Sequence, residues 1–150
     1  MRHIAIPLAT IALLAASCSN NSQGTLGFTD PTVGDYDSLN IVDTSDSGEP
    51  STVVYYSGDS DIFRQYYNDH SLRAEGTVVN GRREGRWVFY FPNGNIQVEG
   101  NYIDGKEDGP YRVYRENGAP YYIGQYTAGV RTGTWEIYDQ EGNLVTKQDY

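Results

Sequence analysis

The chain has 150 residues, enough for one domain and hardly two, with 20 acidic residues against 11 Lys or Arg and a formal charge of -9. One Cys rules out an internal disulfide framework and a Cys-based zinc cluster, and two His, one of them at position 3, rule out a multi-histidine metal site. The negative balance argues against a nucleic-acid partner, whose backbone calls for a basic face, and no motif calls for a cofactor.

Residues 1–17 read as a secretory signal peptide. Met1-Arg2-His3 gives a basic start, and Ile4 to Ala16 is apolar apart from Thr10. That stretch is too short for a lasting membrane span, which needs about 20 residues. Leu14-Ala15-Ala16-Ser17-Cys18 resembles a bacterial lipoprotein signal, with Ala15 where Leu is usual. The resemblance implies that Cys18 becomes the acylated first residue of the mature protein, with the lipid bilayer as a partner. Ser19 gives no inner-membrane retention cue of the Asp type, so the implied location is the bacterial cell envelope, at the outer membrane. Residues 18–50 follow as an expected flexible tether. They are rich in Ser, Asn, Gly, Thr and Asp, lack Lys and Arg, and carry too little apolar surface to offset their ordering entropy.

Residues 51–150 read as one repeat domain with a period of 24. Gly81, Gly105 and Gly129 open successive units, and Gly85, Gly109 and Gly133 follow four residues later. Trp87, Tyr111 and Trp135 share a column, as do Tyr90, Tyr114 and Tyr138. Gly94, Gly118 and Gly142 mark a turn, and Tyr102, Tyr126 and Tyr150 close the units. One more step back gives a degenerate copy with Phe63, Tyr66, His70, Gly76 and Val78, so the units span about 57–80, 81–104, 105–128 and 129–150.

Within each unit the apolar period is two, which predicts strands covered on one face. Ile96, Val98, Gly100 and Tyr102 are expected on the covered face, opposite Asn95, Gln97, Glu99 and Asn101. Asn93-Gly94 and Asn117-Gly118 predict tight hairpins with both residues at positive φ. Asp104 to Gly109 predicts a longer polar loop with glycine corners. The expected fold is all-β, an elongated antiparallel meander of about eight strands. Gly100 and Gly124 fall on the apolar face, where an aromatic ring from a neighbouring strand, Trp87 or Tyr111, is expected to lie over bare backbone, a bulge being the alternative.

The unit Gly-x-x-x-Gly-x-(Trp/Tyr)-x-x-Tyr-x-x-x-Gly, followed by Gly-x-Tyr, resembles the MORN repeat in the variant found in YwqK-type antitoxins. It reads Gly81, Gly85, Trp87, Tyr90, Gly94, Gly100 and Tyr102 in one copy, then recurs through Gly105 to Tyr126 and through Gly129 to Tyr150, with Gln148 where Gly is expected. The resemblance implies a curved antiparallel sheet that binds protein partners or lipid and has no catalysis of its own.

The leading functional expectation is therefore a non-catalytic, envelope-tethered binding or scaffold module for another envelope protein. Tyr121, Arg112, Arg115 and Arg86 are the candidate partner surface, because Tyr and Arg dominate contact energetics. A toxin-neutralising role sits poorly with a secretion signal. Lipid binding by the repeats lacks a basic excess, and a glycan-active enzyme would need a carboxylate pair. Glu75 and Glu99 share a column, but Ile123 and Lys147 continue it, so no preserved constellation results. His70, beside Asp69, occupies a turn column.

Overall fold

The computed structural model describes residues 38–44, 46, 48, 50–57 and 60–150; the expected signal peptide, Cys18 and most of the expected tether lie outside them. Ten strands pair in chain order into a single antiparallel sheet: β1 (Ser38–Thr44), β2 (Pro50–Ser57), β3 (Ser60–Tyr66), β4 (Leu72–Val79), β5 (Arg82–Tyr90), β6 (Ile96–Ile103), β7 (Lys106–Tyr114), β8 (Pro120–Thr127), β9 (Val130–Tyr138) and β10 (Leu144–Asp149). The eight expected strands are β3 to β10. The first hairpin is additional: β1 falls inside the 18–50 segment expected to be flexible. The short, mostly apolar run Leu39 to Val42 lacks a sustained period, yet β2 pairs with this strand from Ser38↔Tyr56 to Ile41↔Val53 and, past an irregularity that skips Val42, on to Thr44↔Pro50.

The two turn types are the reverse of the expected ones. Asn80-Gly81, Asp104-Gly105 and Ala128-Gly129 are the two-residue turns with both φ positive. Those mirror-image turns match the right-handed twist of the flanking strands. At Asn93-Gly94 only the glycine has positive φ; Phe91 N–H donates to the Asn95 carbonyl at 2.8 Å, and Gly94 N–H to the Phe91 carbonyl at 2.9 Å. His70 takes the same left-handed position in the first such turn, with φ 67.

The loop expected at Asp104 to Gly109 closes after Gly105, because Lys106 already pairs with Ile103. Gly109 instead belongs to a bulge inside β7. Tyr111 faces Gly100 and Glu107 faces Tyr102, so three residues of β7 oppose one of β6. Gly85 in β5 and Gly133 in β9 hold the same place, all three at positive φ (67, 103 and 64). The bulge sets the period. Between β2 and β3 it is absent, and Val54 stands opposite Phe63, 22 positions before Gly76 rather than 24. A second bulge skips residue 97 between the pairs Phe89↔Val98 and Tyr90↔Ile96. Ile96 therefore lies on the side of Tyr90, away from Val98, contrary to simple alternation.

Gly76, Gly100 and Gly124 are seats for aromatic rings. A Cβ on Gly76 would come within 2.3 Å of Trp87, on Gly100 within 2.6 Å of Tyr111 and on Gly124 within 2.3 Å of Trp135. The ring always comes from the following strand, so Trp87 covers Gly76 and not Gly100. Trp87 and Trp135 are each 2 % exposed as a result. Where Val54 replaces the glycine, the facing ring is the smaller Phe63.

Gly124→Val should meet the Trp135 ring and lose about 1–3 kcal/mol or more by overpacking, whereas Gly118→Ala, with open space around it and only its φ of 84 to strain, should lose less; urea unfolding measures both. The Trp87 indole N–H donates to the Thr77 carbonyl at 2.9 Å, while that of Trp135 is buried without an acceptor. Trp87→Phe is thus expected to cost about 1 kcal/mol more than Trp135→Phe, by the same measurement.

Candidate binding surface

Alternation in the ten strands sorts side chains onto two faces. One is aromatic. Phe63, Trp87, Phe89 and Tyr102 form one cluster, with Phe63 and Trp87 centroids 5.3 Å apart. Tyr111, Tyr126, Trp135 and Tyr150 form the next, with edge-to-face contacts at 5.0 Å and 5.1 Å. Guanidinium groups lie over both clusters: Arg83 is 4.6 Å from Trp87 and 5.3 Å from Tyr102, and Arg131 is 4.5 Å from Trp135. Arg131 also donates to the Tyr126 and Tyr150 hydroxyls at 3.4 and 3.1 Å. Burial pushes the Tyr111 phenol well above its ordinary range, helped by the nearby Tyr102, Tyr126 and Glu107.

The other face carries a row of paired charges. Across successive strands the register aligns Arg64, Glu75, Val88, Glu99, Arg112, Ile123, Glu136 and Lys147. Arg64 bridges Glu75 at 3.3 Å, Arg86 and Arg112 both bridge Glu99 at 3.0 and 3.2 Å, and Lys147 bridges Glu136 at 2.7 Å. A tyrosine hydroxyl completes each carboxylate: Tyr90 donates to Glu75, Tyr114 to Glu99 and Tyr138 to Glu136. In the third unit Ile123 offers no acceptor, and Tyr138 turns to Glu136 instead. Burial pushes the Glu99 carboxyl up, but hydrogen bonds from Arg86 and Tyr114 and the charges of Arg112 and Arg86 outweigh it, leaving it below the ordinary carboxylate range. Burial, then the bond to Glu75, pushes Tyr90 up to about 12.

This pairing breaks up the surface expected from sequence. Arg86 and Arg112 converge on Glu99, so both are tied to one carboxylate. Tyr121 is the residue skipped by a bulge between the pairs Val113↔Tyr122 and Tyr114↔Pro120. Its ring rests 3.9 Å from Tyr122, which pairs with Val113 and Ile137, and so it joins the aromatic side rather than the polar one. Arg115 stacks on Tyr121 at 4.0 Å and donates to the Tyr138 and Asp139 carbonyls at 3.0 and 3.2 Å, tying two turns together. Cys18 lies outside the described residues. Sequence reasoning missed Arg83 and Arg131. Their spacing, two periods apart with Glu107 between them, was the available signal.

A shallow groove of about 300 Å³ opens on the charged face, lined by Pro110, Ile123, Gly124, Gln125, Thr134 and Glu136. One unit earlier the matching positions hold Arg86, Glu99 and Arg112, whose ion pairs occupy that space. Among the described residues no group of three or more His, Cys, Asp or Glu is placed to hold a metal, and no helix is long and apolar enough to cross a membrane.

Two stretches of the chain, residues 83–104 and 131–150, match the family model of the MORN repeat variant. They correspond to the β5–β6 and β9–β10 hairpins. No curated protein matches the chain. A MORN-like sheet of stacked hairpins, its row of carboxylates tied into ion pairs, defines a repeat fold consistent with a scaffold or protein-binding role.

The charge row fixes the sign of the pH dependence. A Glu99 pKa below its unfolded value means that the native state binds fewer protons, so its contribution is present above about pH 4.3 and is lost as pH falls through the folded value. Urea unfolding between pH 6 and 3 should show a shallower loss of stability in Glu99→Gln than in the parent. At the alkaline end the raised Tyr90 stabilises below about pH 10 and ceases to do so as pH rises towards about 12. Tyr90→Phe should remove one late-ionising phenol from the ultraviolet absorbance titration.

Proposed function

We propose that this chain is an envelope-tethered lipoprotein whose MORN-like sheet is a non-catalytic docking module for another envelope protein. The observation that carries the reading is the state of its polar groups. Glu75, Glu99 and Glu136 are each held by a cation and a tyrosine hydroxyl, so the groups that acid–base chemistry would need stiffen the sheet instead. What the sheet offers to solvent is a repeated surface, and repeat folds use such surfaces for binding. The leader supports the placement: Leu14 to Cys18 resembles a lipidation signal, and the acyl chains attached there would each contribute about 0.8 kcal/mol per buried CH₂.

Crosslinking in bacterial envelope fractions, followed by identification of the captured proteins, tests the docking role. The full chain should capture a defined envelope protein, and Cys18→Ser should leave the membrane fraction and lose most of that capture. Mass spectrometry of the mature N-terminus should find acyl chains on Cys18. An unmodified Cys18 would remove the anchor, and no captured protein from the intact membrane-bound chain would remove the docking role.

A further inference from the structure

We propose that the aromatic face docks a proline-rich segment in the polyproline-II conformation, with charges at every third residue in the order acidic, basic, acidic. This rests on the docking reading above and names the partner's chemistry.

The argument starts from Arg83, Glu107 and Arg131, which occupy one position of the repeat on β5, β7 and β9. On the opposite face Arg64, Arg86, Arg112 and Lys147 each lie against a carboxylate. Among the described residues, Arg83 and Arg131 form no such pair; their guanidinium planes rest on aromatic rings at 4.6 and 4.5 Å. Stacking occupies the flat of a guanidinium and leaves its edge; Arg131 gives its Nε–H and one Nη1–H to the Tyr126 and Tyr150 hydroxyls, and its remaining N–H groups are the ones that can receive a carboxylate. Glu107, half-buried between them, calls for a cation. The face therefore presents plus, minus, plus.

Spacing selects the conformation of the segment. Alternate strands lie about 9.6 Å apart, which sets the step between the three charges. A polyproline-II helix rises about 3.1 Å per residue with three residues per turn, so every third side chain returns to the same side after about 9.3 Å. An extended β-strand covers a similar distance in three residues but places the first and fourth on opposite sides. Between the charges lie Tyr102 on β6, paired with Glu107 and stacked under Arg83, and half-buried Tyr126 on β8, paired with Arg131 and packed on the half-buried Tyr111 ring. Aromatic-lined surfaces favour the preformed polyproline-II chain. Because the charge order is symmetric, the segment fits in either direction.

Fluorescence anisotropy of the full chain in detergent tests this with the labelled peptide PPDPPKPPDPP. Two comparison peptides accompany it: one of the same composition with the charges two residues apart, and a helical one with matching charges seven residues apart. The first peptide should bind best and weaken with salt. Arg83→Gln and Arg131→Gln should each lower its affinity about tenfold, while Glu107→Lys should shift preference to PPDPPDPPDPP. Circular dichroism and melting curves confirm that each variant is folded. Equal binding of the respaced peptide, tighter binding of the helical one, or an affinity unmoved by both Arg variants overturns the proposal. If the crosslinked envelope partner is still captured by the Arg83→Gln/Arg131→Gln double variant, this face is wrong while the docking role stands.

Discussion

An aromatic ring laid on bare backbone is the contact on which this sheet depends. The described residues form one layer of strands, so large apolar side chains have no facing sheet to enter. Trp87, Tyr111 and Trp135 are covered from below by Gly76, Gly100 and Gly124, from the sides by neighbouring rings, and for the two tryptophans from above by an arginine plane. Each seat joins two consecutive hairpins, so burial and hairpin order are fixed by the same contact.

The backbone bulge makes that seat possible. Two residues added on β5, β7 or β9 next to a left-handed glycine reorient the strand just before its aromatic residue. Polar ladders at both ends of the hairpins then lock the stack. Asn93 and Asn95 both donate to the Glu116 carbonyl of the next turn, and Asn117 to that of Gln140. At the opposite end Gly105 N–H donates to the Arg83 carbonyl, and Gly129 N–H to that of Glu107. With seats, ladders and the charge row satisfied within the sheet, the stack has the rigidity that a docking surface requires.

The hairpins and their order were legible in the sequence because period two and period 24 are both properties of residue type. The glycine seats were legible for the same reason: a glycine on an apolar face needs a partner. Bulges were not. Gly85, Gly109 and Gly133 look like loop corners, and nothing in the composition tells a corner from an inserted residue within a strand. The second bulge, which skips residues 97 and 121, carries no glycine signal at all, and it misplaced Tyr121 and Ile96, since one skipped residue moves a side chain to the other face. The β1–β2 hairpin escaped notice because its offset is shorter by two and its seat position holds Val54. Charges are harder still. Arg86 and Arg112 look alike as free contact residues until the register brings both to Glu99.

Gln148 stands in the seat column of the last strand, opposite Trp135. A side chain at that position leaves no bare backbone for a large ring from a further strand, just as Val54 faces only the smaller Phe63. A longer version of this sheet is accordingly easier to build by inserting a 24-residue module inside it, bounded by glycine seats on both sides, than by appending one after Tyr150.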